Sequence, residues 1–147
     1  MTLEIRPVSK DDEAAWRRLW TDYLSFYETS VGEDVYRMSF SRLLSDDPAE
    51  FRGRLAVLDG APVGLVHFVF HRHMWRVEDV CYLQDLYADP EARGRGIGRA
   101  LIEAVYRAAD AAGCPTVYWL TQEFNATARR LYDRIGTVTP FIKYNRG

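Results

Sequence analysis

Residues 82–101, Tyr-Leu-Gln-Asp-Leu-Tyr-Ala-Asp-Pro-Glu-Ala-Arg-Gly-Arg-Gly-Ile-Gly-Arg-Ala-Leu, constrain the fold of this chain more than any other stretch. They run from a strand pattern, through the breaker Asp89-Pro90, into three alternate glycines that open an amphipathic helical pattern. A helix N-terminus presents unpaired N–H groups and the positive end of the helix dipole. Glycine lets an anion come close to such a backbone. The stretch therefore reads as a pyrophosphate seat at a strand-to-helix junction, with Gly94, Gly96 and Gly98 at its centre.

The rest of the chain supplies the layers around that junction. Leu3 to Arg6 reads as a short strand stopped by Pro7, and Ser9 with Asp12 resembles a capping box. Trp16, Leu19, Trp20, Tyr23, Leu24 and Tyr27 recur at helical spacing, and Val35, Met38, Leu43 and Leu44 suggest a second helix. Two strand runs, 54–58 and 62–70, meet at Asp59-Gly60, a hairpin signal. The second is apolar on both parities and reads as a central strand covered on both faces. On residues 80–87 one parity carries Cys81, Leu83, Asp85 and Tyr87. A carboxylate in such a run is costly to bury, so Asp85 needs a partner or a task. After the glycines, Leu101, Ile102, Val105 and Ala109 form an apolar stripe, and Gly113-Cys-Pro115 ends the helix. Residues 116–121 read as a strand, Asn125 caps a last helix through Ile135, and residues 137–144 read as one or two further strands.

At 147 residues one domain spanning 1–147 is expected, and no linker or repeat divides it. The net charge of −2 comes from charges spread evenly, which argues against a nucleic-acid partner. No apolar run approaches the roughly 20 residues of a membrane span. Cys81 and Cys114 fit small buried thiols in a reducing compartment, so a cytoplasmic location is expected. His67, His71 and His73 share a parity, but no close carboxylate or cysteine completes a ligand set. No metal is expected, and the three read as solvent-facing or substrate-lining.

The glycines do not match other phosphate loops. A dinucleotide fingerprint needs Gly-x-Gly-x-x-Gly, whereas the position required from Gly94 is Arg99; a P-loop needs Gly-Lys-Ser/Thr. What remains is Arg93-x-x-Gly96-x-Gly98 between a strand and a helix. On these residues the chain resembles the GNAT family of N-acetyltransferases over nearly its whole length. The likeness is closest to the fungal histone and polyamine acetyltransferases through Trp16-Arg-Arg-Leu-Trp20, Phe26-Tyr-Glu28, Asp85-Leu-Tyr87, Val117-Tyr-Trp119 and Leu131-Tyr132. The chain is also similar to the spermidine/spermine acetyltransferases around Tyr82-Leu-Gln-Asp85.

The resemblance implies an α/β (α+β) GNAT fold, with a mixed, mostly antiparallel twisted sheet of six to seven strands, splayed at the acetyl-CoA site and flanked by about four helices. It implies acetyl-CoA as cosubstrate, with the backbone of Leu86, Tyr87 and Ala88 along the acetyl and pantetheine groups. Arg93, Gly94, Arg95, Gly96, Ile97, Gly98 and Arg99 would hold the pyrophosphate, and Asn125 would touch the pantetheine arm. It further implies direct transfer to a primary amine of a polyamine, an amino acid or a lysine side chain, with Tyr132 as general acid, and a homodimer. From periodicity alone Tyr132 would be a core position on its helix.

Acyl transfer needs donors for an oxyanion, each worth about 3 kcal/mol, and an acid for the departing thiolate. An alkyl ammonium must also lose a proton, its ordinary pKa being about 10. Where spermidine acetyltransferases carry a glutamate this chain has Gln84, which cannot be a base. Asp85 is the expected amine-recognising residue, with Glu28, Glu78 and Asp79 as secondary acids. Tyr27, Glu28, Trp75 and Gln84 are expected around the acceptor. The alternatives are a non-catalytic acyl-CoA-binding module on the same fold and a nucleotide-binding fold.

Overall fold

Asp59 and Gly60 both take positive φ, 50° and 84°, closing a two-residue turn that folds the second strand run back on the first. From this hairpin a five-stranded sheet extends in chain order: β1 (Leu3–Pro7), β2 (Arg52–Leu58), β3 (Ala61–His71), β4 (Val80–Ala88) and β5 (Val117–Tyr118). The first three pairings are antiparallel and the last is parallel. The computed structural model describes residues 2–147. Helices α1 (Glu13–Phe26) and α2 (Glu33–Leu43) cover one face, while α3 (Ile97–Ala111) and α4 (Ala126–Ile135) lie on the other.

Each face has its own core, as expected of a strand such as β3 that is apolar on both parities. Leu55 and Leu65 pack under Trp16, Leu19, Trp20 and Leu24 of α1. On the opposite face Val66, Phe68, Phe70 and Leu83 meet the stripe of α3, Ile97, Leu101, Ile102 and Val105. The start of α1 is pinned by Asp12, which accepts two bonds from Arg6 (2.7 and 2.9 Å) and one from the Ser9 N–H (2.7 Å). The Arg6 guanidinium holds this carboxyl well below its ordinary range, against the opposing effect of burial.

The β3–β4 register contains a bulge. His67 faces Asp85 and Phe68 faces Leu83, so Gln84 is an extra residue on β4. This overturns the expected single parity for residues 81–87. Cys81 and Leu83 lie in the α3 core, while Asp85 turns to the α1 face beside His67, and Tyr87 packs against the α1 core. One inserted residue reverses every later side chain.

The sheet also differs from expectation in strand count. β5 has two residues rather than six, pairing Cys81 with Val117 and Tyr82 with Tyr118. Past Tyr118 the chain turns inward, and Trp119 packs edge-on against Tyr132 with ring centroids 5.5 Å apart. So short an edge offers little template for further pairing, and residues 137–144 form no strand. Val138, Phe141, Ile142 and Tyr144 are all exposed.

Gly64 sets the distance between sheet and α3. A Cβ there would stand 2.8 Å from the Tyr87 carbonyl oxygen and 2.9 Å from Ile97 Cγ2. Gly64→Ala is expected to destabilise the fold by about 1–3 kcal/mol through this overpacking, read as a lower urea midpoint with unchanged m value. An unchanged midpoint would show that the contact yields freely.

Candidate active site

The bulge leaves Asp85 buried (6% exposed) against an equally buried His67 (5% exposed). His67 Nδ1 lies 2.8 Å from Asp85 Oδ2, and the Trp16 indole N–H donates to His67 Nε2 at 2.9 Å. An indole nitrogen can only donate, so Nε2 is the bare acceptor and Nδ1 carries the proton given to Asp85. The geometry thus selects one neutral tautomer of His67 and directs its N–H to a carboxylate. Burial alone would raise the Asp85 carboxyl, but the His67 hydrogen bond, with lesser help from Tyr23 and Trp20, holds it below its ordinary value. Burial and then the Asp85 charge push the Tyr23 phenol far up. Asp85 is therefore an anion at neutral pH.

This carboxylate opens into a cavity of about 240 Å³ between the sheet, α1 and α2. Trp20, Arg42, Phe51, His67 and Gln84 line it with Asp85. Gln84 is exposed at the bulge, and the extra residue that brings it to the cavity also turns Asp85 inward.

Beyond Tyr82, β4 loses its β5 neighbour. Pairing ends at Tyr82, so Leu86, Tyr87 and Ala88 have an edge that β5 does not occupy. Such an edge can accept an extended amide-bearing chain as an added strand. At its end lies the glycine loop. Gly94 and Gly96 take φ of 78° and 72°, a region L side chains rarely adopt, and nothing stands within 4 Å of where their Cβ atoms would be. Gly96 precedes α3, whose first turn bond runs from Ala100 N–H to Gly96 O (3.0 Å). The amides of Ile97, Gly98 and Arg99 thus begin the helix at its positive end. Arg93 is exposed beside them, and Arg99 pairs with Glu103 at 2.9 Å. An open, amide-rich loop continuing from an unoccupied strand edge fits a long ligand with amides at one end and phosphates at the other.

Tyr132 is half-buried on α4 against Trp119, and among the described residues its hydroxyl makes no hydrogen bond. Burial, reinforced by Tyr27, raises its phenol to about 12. Tyr27 caps the end of α1 and is raised by burial and by the Asp85 charge, so it senses both Asp85 and Tyr132. Asn125 caps α4, its Oδ1 accepting from the Ala128 N–H at 3.4 Å.

Other expected residues do not gather here. Glu28 is exposed in left-handed backbone (φ 56°) after α1, against Ser25 and Thr29 in a separate shallow hollow. Trp75 is 84% exposed and touches His73 rather than the Asp85 cavity. Glu78 and Asp79 pair with Arg76 and Arg72 at 3.6 and 3.4 Å. Of the three histidines, His67 is buried rather than solvent-facing, because the Trp16 and Asp85 bonds satisfy both its nitrogens. His71 bonds Tyr118 at 2.7 Å. Among the described residues no group of three His, Cys, Asp or Glu side chains is arranged to hold a metal. Trp16, Tyr23 and Arg42 were not anticipated at the site, whereas His67 lines the cavity, in line with the substrate-lining alternative. His67 did carry a signal, since a polar residue inside a strand apolar on both faces raises the same cost as Asp85.

Residues 13–137 match the family model described as Acetyltransferase (GNAT) family. The D-amino-acid N-acetyltransferase HPA3 of Saccharomyces cerevisiae is 37% identical over 144 residues, 97% of this chain and 89% of that protein. The thialysine N-epsilon-acetyltransferase of Bos taurus is 34% identical over 74 residues, 50% of this chain and 43% of that one. Two solved structures share the fold. A ribosomal-protein-alanine N-acetyltransferase from Brucella melitensis superimposes with a TM-score of 0.82 at 22% identity, covering 100% of this chain and 99% of that one. The aminoglycoside N-acetyltransferase AAC(6')-Iy in complex with CoA superimposes with a TM-score of 0.84 at 20% identity, covering 99% and 95%. The chain belongs to the GNAT acetyltransferase family and is an acetyl-CoA-dependent N-acetyltransferase.

Proposed function

We propose that the protein acetylates a primary amine that enters the α1/α2 cavity as an ammonium and meets Asp85. The observation that carries this reading is the ionised, buried carboxylate opening into the cavity just after β4 loses its neighbour. Acetyl-CoA supplies the acetyl group as an activated thioester. In this reading the amides of Leu86, Tyr87 and Ala88 orient it along the free edge of β4, and the amides from Gly94 to Arg99 take its pyrophosphate. Asn125 steers the pantetheine arm. The names of the yeast and bovine relatives, acting on D-amino acids and thialysine, support an acceptor that is a small amine.

Asp85 is suited to binding an ammonium rather than to removing its proton, because its carboxyl is held below the ordinary value. His67 Nε2 is occupied by Trp16, and Gln84 is no base. The ammonium therefore sheds one proton to water before attack, the Tyr132 hydroxyl, a phenol throughout the neutral range, gives a proton to the departing thiolate, and the second proton lost by the nitrogen as the amide forms restores that hydroxyl. The exposed apolar residues Val138, Phe141, Ile142 and Tyr144 support a homodimer, and two free buried thiols, Cys81 and Cys114, suit a reducing cytoplasm.

Thiol-release kinetics with acetyl-CoA and a panel of amines test the proposal. Wild-type kcat/KM is expected to rise with pH toward the amine pKa. Because the Asp85 pKa is depressed, its charge persists through the neutral range and is lost only in acid, so it adds no limb near neutrality. Asp85→Asn should lower kcat/KM for the best amine about 10- to 100-fold, as a charge-assisted bond is lost; an unchanged value and profile would refute the role. Tyr132→Phe should lower kcat about 100-fold or more with little change in the KM for acetyl-CoA or in melting temperature. A KM effect alone would make Tyr132 a packing residue.

A further inference from the structure

Two opposite charges line the same cavity without pairing with each other. Asp85 uses Oδ2 for His67, with Tyr23 and Trp20 as lesser supports of its charge, and it forms no ion pair with Arg42. Arg42, on the outer end of α2, has among the described residues one ionic neighbour, Glu50, at 3.8 Å from Nε. That distance is too long for a hydrogen bond, and among the described residues the terminal guanidinium nitrogens donate to nothing.

A lone ammonium would satisfy Asp85 and leave the arginine fork unused. A polyamine would go further and bring a second cation toward Arg42, which repels it. An acceptor with a carboxylate beside its amine meets both charges, since a planar guanidinium binds carboxylates through paired N–H donors. The cavity, about 240 Å³, is smaller than the 300–1,000 Å³ typical of drug-sized ligand sites and suits a compact acceptor. Building on the amine acetyltransferase reading, we infer that Arg42 is a specificity residue and that the acceptor is a zwitterionic amino acid, its ammonium at Asp85 and its carboxylate at Arg42.

The test is a double-perturbation cycle read as kcat/KM at one pH with saturating acetyl-CoA. The acceptors are a set of D- and L-amino acids, the matching amino-acid amides, 6-aminohexanoate and spermidine, with wild type, R42Q and R42K. Removing the carboxylate (amide) and removing the fork (R42Q) are each expected to cost about 10- to 100-fold. Together they should cost no more than either alone, because they delete one interaction. R42K should restore part of the loss with amino acids. Arg42 is solvent-exposed, so the melting temperatures of all three proteins should agree.

If α-amino acids are preferred over 6-aminohexanoate, the two charges are a single amino acid apart; the reverse preference keeps the zwitterion and lengthens it. Equal turnover of amides and acids, a preference for spermidine, or additive penalties would overturn the inference while leaving amine acetylation intact. If no amine in the panel drives CoA release, the amine acetyltransferase reading fails and this inference falls with it.

Discussion

The Asp85 carboxylate lies almost wholly out of water and remains ionised, and much of the surrounding arrangement follows from that cost. An isolated anion in such a place would be several kcal/mol unfavourable and would take up a proton instead. Here a neutral histidine gives it an N–H, and a tryptophan indole holds that histidine in the one tautomer able to do so. Trp16 is also the centre of the α1 core, stacked on Trp20 with centroids 5.1 Å apart and against Phe40 at 5.2 Å. Packing energy and charge placement are therefore joined in one side chain. The hydrophobic face of α1 cannot shift without loosening the anion at the floor of the cavity.

The two faces of the sheet divide the remaining work. On the α3 side, Gly64 allows the first turn of the helix to press onto β3 and β4, which brings the glycine loop to the end of the β4 edge. On the α1 side, the cavity holds the groups suited to an amine. β4 belongs to both, and the Gln84 bulge makes that possible. Before it, Leu83 faces α3; after it, Asp85 faces α1 while Leu86 and Ala88 return to the α3 core. A regular strand would have buried Asp85 among Cys81, Leu83 and the apolar stripe of α3, with no donor to meet it.

Local patterns were legible where one short-range rule decides the outcome. The hairpin at Asp59-Gly60, the glycine-led start of α3, the Asn125 cap and the amphipathic stripes of α1 and α3 all follow from turn chemistry and periodicity. Residues 137–144 misled because β-branched and aromatic residues register strand propensity, whereas a strand exists only if an edge pairs with it. β5 leaves too little edge. The solvent-facing reading of His67 failed for a related reason: periodicity gives the face a residue points to, and burial depends on what covers that face.

What the sequence by itself determined was the family, the glycine loop that opens α3 and the need for Asp85 to have a partner, since each rests on residue types in a fixed local order. Tertiary structure alone decided who that partner is. Trp16, His67 and Asp85 are separated by 51 and 18 residues, and they meet only because one extra residue in β4 turns the strand over. Arg42 joins the same cavity from α2. A bulge is a difference in count between two paired strands, so it has no existence in either strand alone. The charge at the candidate active site is written in the sequence, and its direction comes from the pairing.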